Sequence, residues 1–141
     1  MIQRVQTVYL LFSAILLLLF LSFAGSNLGA FLAGLTWAMP VAYALAGLTA
    51  AVAFVAVFLY KQRATQAKVV MAAMWLDLLL VLVLAGAMGY LSFAAEGAVT
   101  PIGMAGYGAL LLPVVAYVGL RMAHRGVKQD IELVRSMDRL R

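Results

Sequence analysis

The chain has 141 residues, of which 67% are hydrophobic and 11% charged, with a formal net charge of +5. A soluble domain carries roughly 45–50% apolar and about 25% charged residues, so no water-soluble fold of this length hides so much apolar surface, and lipid is the solvent to reason with. Cysteine is absent, which excludes disulfides, thiolate nucleophiles and cysteine-ligated zinc or iron–sulfur sites.

The first apolar run, Val8 to Ala24 after Arg4, has the outline of a secretory signal peptide. It is longer than the ~7–15-residue core of one, and is read as an uncleaved span over 7–24. A Gly/Ala-rich apolar stretch follows from Gly25 to Met39, carrying Leu28, Phe31, Leu32, Leu35 and Trp37. It is too short to cross a bilayer and is expected as an interfacial or partly re-entrant turn, with Trp37 at the headgroups. The second span is predicted over 41–60, with Pro40 just before it, where a missing N–H does no harm. A basic loop with Lys61, Arg63 and Lys68 leads to a third span over 69–91. Glu96 lies in the next loop, Thr100 and Pro101 open a fourth span over 102–120, and Pro113 in its middle predicts a kink. In the tail, Val127, Ile131 and Val134 with Leu133, Met137 and Leu140 recur three and four residues apart, which predicts an oily face. Glu132 with Arg135, and Asp138 with Arg141, are spaced to pair along it. The predicted fold class is therefore all-α: an integral membrane four-helix bundle over 1–121, followed by a C-terminal cytoplasmic amphipathic helix over 122–141.

All ten Lys and Arg residues fall before the first span, between the second and third, or after the fourth. By the positive-inside rule, both termini and the middle loop are expected in the cytoplasm.

Asp77 is the one ionisable residue well inside a predicted span. A carboxylate there costs about 2.5–3.5 kcal/mol on insertion scales, so it is the leading functional residue, with Tyr9, Ser13 and Tyr117 at comparable depth as candidate hydroxyl donors and Lys61 or Lys68 within reach from the loop. Two readings compete: a proton or ion site, or a polar contact that fixes one helix against another. The second is favoured, because carriers usually embed more than one such group. Small residues four apart (Ala42, Ala46 and Ala50; Gly47 and Ala51; Ala85 and Gly89; Ala105 and Ala109) are packing faces for helices in lipid. No metal-ligand set, Gly-rich phosphate loop or nucleophile–base pair is present. His124 reads as an exposed tail residue, no cofactor or small-molecule substrate is indicated, and an enzyme is not expected.

From Arg121 onward six basic residues face three acidic ones. Such a tail suits an anionic leaflet first, and next a protein partner or another copy. Nucleic acid is not expected, since no aromatic residue interleaves the charges to stack on bases.

The two ends, Met1-Ile2-Gln3-Arg4-Val5-Gln6-Thr7-Val8-Tyr9-Leu10-Leu11 and the segment from Arg125-Gly126-Val127-Lys128-Gln129-Asp130 through to Leu140-Arg141, resemble the small four-span membrane proteins of Bacteroidota grouped as domain-of-unknown-function family 4293. The family pattern often has an acidic residue near Gln129, where this chain departs from it. The resemblance implies a bacterial inner membrane and no assigned activity. It also implies a cytoplasmic contact surface joining Gln3 and Arg4 to the tail through Lys128, Val134, Arg135, Asp138, Arg139 and Arg141, with the tail folded back beneath the bundle. The expected role is a structural or accessory membrane protein, either a subunit of a larger complex or a homo-oligomer. The competing role is a small carrier or channel using Asp77.

Overall fold

A computed structural model describes the backbone of residues 2–94 and 102–138 and the side chains of residues 5–94 and 102–136. Four long helices form: α1 (Ile2–Leu32), α2 (Ala38–Phe58), α3 (Arg63–Ala94) and α4 (Met104–Asp138), with one short 3₁₀ turn, Leu59–Lys61, between α2 and α3. Each contains a stretch long and apolar enough to cross a membrane. The outward surface agrees, since α1 exposes Val8, Phe12, Ile15 and Phe23 and α3 exposes Leu79 and Leu82. A patch of that extent is stable only against lipid. This is a multi-pass membrane protein.

The helices run antiparallel around a ring. α1 has its most extensive contact with α4, then with α2; α2 packs on α3, and α3 meets α4 over the smallest adjoining surface. Size complementarity underlies each of these contacts. Most large buried side chains come from α1 (Leu10, Leu17, Phe20, Leu28) and α3 (Val70, Leu80, Leu84, Leu91). The buried face of α2 is Ala38, Ala42, Ala46, Thr49, Ala50, Ala53 and Ala56, and that of α4 is mostly Ala and Gly, with Pro113, Leu120 and Val127 as exceptions. Each neighbouring pair thus sets bulky side chains into a shallow partner, which is how helices gain van der Waals contact where lipid removes the hydrophobic drive. Ala42, Ala46 and Ala50 face inward, as does Ala109, whereas Ala51, Ala85 and Ala105 face outward.

Three expectations need correction. The Gly25–Met39 stretch is not a re-entrant loop: α1 continues to Leu32, and the turn is only residues 33–37. Leu28, Phe31 and Leu32 extend the buried face by one more helical repeat, and packing overrides the weak helix preference of Gly25 and Gly29. Gly34 in the turn lies against Leu91 of α3, where an added Cβ would come within 2.9 Å of its side chain. Trp37, at the start of α2, stays half exposed. The tail is likewise not a separate amphipathic helix, because α4 runs unbroken from Met104 to Asp138, and Met104–Ser136 qualifies as one apolar candidate span. Ala123 and Val127 continue the buried register of Ala116 and Leu120, so nothing stops the helix where the hydrocarbon run ends. Nor does the tail fold back under the bundle; it meets the N-terminal segment by running antiparallel beside it, with Gly126 against Gln6. Pro113 is buried inside α4, which remains helical through it. Thr100, Pro101 and Glu96 lie outside the described residues.

At the basic end, Gln66 of α3 is buried and donates from Nε2 to the carbonyl of Ala56, 3.0 Å away, at the end of α2. Arg63 pairs with Asp130 of α4, and Lys61 lies over the Tyr60 ring. Gln66→Ala is expected to lower stability in mild detergent by about 1 kcal/mol, the usual value of such a bond. Denaturant unfolding of the two proteins side by side checks it, and equal midpoints would remove Gln66 from this account.

Candidate functional site: a buried carboxylate in helix 3 and the helix 1–helix 4 contact

Two hydrophobic clusters fill the bundle. The one toward the basic end contains Leu10, Ala14, Ala53, Val70, Ala73 and Leu120; the other contains Leu17, Phe20, Ala46, Leu80, Leu84 and Ala116. The buried polar residues Ser13, Thr49 and Asp77 fall at or within one turn of the boundary between them. Asp77 sits fourteen residues into α3, about 21 Å from its start. It is fully buried, and neither carboxylate oxygen has a hydrogen-bond partner.

The candidate donors are engaged elsewhere. Ser13 Oγ lies 2.9 Å from the carbonyl oxygen of Tyr9 and 3.0 Å from that of Ala116, so its single proton serves its own helix and α4. Thr49 donates to the carbonyl of Leu45 at 2.7 Å. The Tyr117 side chain lines a cleft between α3 and α4, and that of Tyr9 lines a second cleft with Gln6, Met122 and Gln129. Lys68 is exposed and makes no ion pair with Asp77. The structure therefore joins Ser13, the Tyr9 backbone and α4, but it does not gather the four predicted polar residues into one cluster. None of the clefts described here is lined by Asp77.

What brings α1 and α4 together is a feature that sequence reasoning missed. Gly106, Ala109, Pro113, Ala116, Gly119, Ala123 and Gly126 recur at three- and four-residue intervals and are at least half buried. A Cβ on Gly119 would overlap Ser13 Oγ, one on Gly126 would reach within 2.8 Å of Gln6 Cγ, and one on Gly106 would come within 3.0 Å of the Asn27 carbonyl oxygen. Strict four-residue spacing picks out only the pair Ala105 and Ala109, because the stripe mixes threes and fours. Gln6, noted before only as part of the N-terminal motif, is buried with its side-chain nitrogen unpartnered.

Of the predicted contact surface, Lys128, Val134 and Arg135 are exposed near the end of α4. The side chains of Gln3, Arg4 and Asp138, and all of Arg139 and Arg141, lie outside the described residues. Glu132 and Arg135 form no ion pair among the described residues.

A family model described as a domain of unknown function (DUF4293) matches residues 2–140. The chain belongs to this family. The match covers all four helices and both end motifs apart from Met1 and Arg141, so the sequence resemblance at the two ends extends through the spans between them. No curated protein and no solved structure matches the chain.

Proposed function

We propose that this DUF4293 protein is a structural or accessory subunit of a larger membrane assembly, or a homo-oligomer, in a bacterial inner membrane, with both termini cytoplasmic. It carries no catalytic step of its own in this reading. The supporting observation is the end of α4. Arg63, the first residue of α3, pairs with Asp130, and α4 continues for eight more residues to Asp138, about 12 Å. Leu133 and Val134 are about half exposed there, between exposed Glu132 and exposed Arg135, which leaves an oily surface edged by one acidic and one basic group beyond the packed bundle for a protein partner or a second copy. The orientation rests on the clustering of Lys61, Arg63, Lys68, Arg121, Arg125 and Lys128 at one end.

The test compares the full chain with one ending at Ile131, which keeps the Arg63–Asp130 pair and the buried Val127. Each carries an N-terminal affinity tag and is extracted gently from native membranes. A stoichiometric partner, or a second copy, that co-purifies with the full chain and is lost from the shorter one is the expected result. Recovery of both chains as monomers without a partner would sink the proposal.

One observation favours a second reading, a carrier or channel working through Asp77: its oxygens are buried without partners. Proton or cation flux in liposomes that is abolished by Asp77→Asn supports this alternative. The placement of Asp77 away from the described clefts supports the first reading instead.

A further inference from the structure

The seam between α3 and α4 is the least extensive of the four adjoining interfaces, and two clefts open along it. The one toward the basic end has a volume of about 420 Å³ and is rimmed by Arg121, His124, Arg125 and Lys128 of α4. Its lining on α3 is apolar, made of Met71, Met74, Trp75 and Leu78, with Met71 and Trp75 exposed on the outer surface. The second cleft, about 360 Å³, begins one turn further along both helices, at Val81 and Val114, and runs past Ala85 to Met88 and Tyr107 with an almost wholly apolar lining. Together they form a furrow that is cationic at one end and oily along its length.

We propose that this furrow binds an anionic phospholipid, its phosphate held by the α4 cations and one acyl chain lying between α3 and α4. Arg121, Arg125 and Lys128 fall at intervals of four and three and so share one helix face, with His124 lining the same cleft beside them. The nearest acidic side chain on that face is Glu132, one turn beyond Lys128, while Asp130 is taken up by Arg63. The rim is thus positive where a phosphodiester sits, and guanidinium groups suit phosphate geometry. Free phosphate explains the rim alone. A lipid also explains why the furrow continues apolar for the fourteen residues from Arg121 to Tyr107, about 21 Å of helix, against ~15 Å for one leaflet of a ~30 Å hydrocarbon core. Ala85 matters here because a larger side chain at that position would fill the path. Basic pockets between membrane helices on the cytoplasmic side are known lipid headgroup sites.

The test uses the purified full chain in detergent and native mass spectrometry, with phosphatidylglycerol and phosphatidylcholine added in equal amounts. Retention of the anionic lipid at least about tenfold above the zwitterionic one is expected. The triple variant Arg121→Gln, Arg125→Gln, Lys128→Gln is expected to lose that preference. The control triple Lys61→Gln, Lys68→Gln, Arg135→Gln removes the same charge from other exposed positions and is expected to keep it. Ala85→Trp is expected to weaken retention with the rim intact, and circular dichroism on every variant confirms that the bundle has formed. Equal loss in both triples would reduce the preference to general surface charge and overturn the proposal. So would unchanged retention in Ala85→Trp, or displacement of the lipid by millimolar inorganic phosphate.

Discussion

Gly119→Ala is expected to destabilise the bundle by about 1–3 kcal/mol, the usual range for forcing extra volume into a close-packed contact. The new methyl group would occupy the space of Ser13 Oγ and would meet the Tyr9 carbonyl oxygen at 3.5 Å and Phe12 Cδ1 at 3.7 Å. Two of these groups belong to a polar contact, since Ser13 reaches both Tyr9 and Ala116. The damage therefore has a specific signature. Ser13→Ala alone removes one interhelical hydrogen bond, worth about 0.6 kcal/mol on average in membrane proteins, and also removes the atom that Gly119→Ala strikes. The double variant should consequently be less destabilised than the sum of the two single variants, with a coupling of about 1 kcal/mol. Unfolding midpoints in mild detergent for all four proteins measure it. Strict additivity would mean that the α1–α4 contact does not turn on this pair.

Asp77→Leu is expected to raise stability, by about 2 kcal/mol or more if the ~2.5–3.5 kcal/mol insertion cost of a mid-span carboxylate is largely recovered. The reason is local. Asp77 is fully buried, its oxygens have no donors, and the side chains one turn away on the same face are Ala73 and Leu80. A well-packed apolar side chain in place of an uncompensated polar one is neutral or stabilising when no partner loses its bond. A lower unfolding midpoint for Asp77→Leu would show that the carboxylate is engaged by a group from another chain or by an ion, and would move the carrier reading ahead. A gain in stability combined with loss of the co-purifying partner would place Asp77 among residues retained at the expense of stability.

The sequence made the number of spans legible because each crosses lipid with an uninterrupted apolar run, and lipid allows such a run to be little else than helix. It left the helix ends obscure. Hydropathy marks the part of a helix inside hydrocarbon, whereas α1, α3 and α4 extend to 31, 32 and 35 residues by packing on one another beyond it. Gly25 to Leu32 reads as part of a turn because the Gly/Ala-rich stretch to Met39 is too short to cross a bilayer, yet Leu28, Phe31 and Leu32 are in helical register with the rest of α1. Asp77 stood out as a lone acid in a greasy span, and its burial follows from its place between Ala73 and Leu80. The Ser13–Gly119 contact could not be read in advance, because in a run of Val, Gly and Leu nothing marks which glycine faces another helix. Only the mixed three- and four-residue recurrence from Gly106 to Gly126 carried that signal.

That α1 and α4 share the largest contact also governs how the protein comes into being. The surface of α1 around Ser13 and Leu28 is completed by α4, which leaves the ribosome after α1, α2 and α3, so those three helices wait in the bilayer with part of that surface on lipid. A translational pause or truncation ahead of Met104 yields three inserted helices and no finished bundle, which makes the synthesis of α4 the step where quality control can tell an assembled four-helix bundle from an unassembled one.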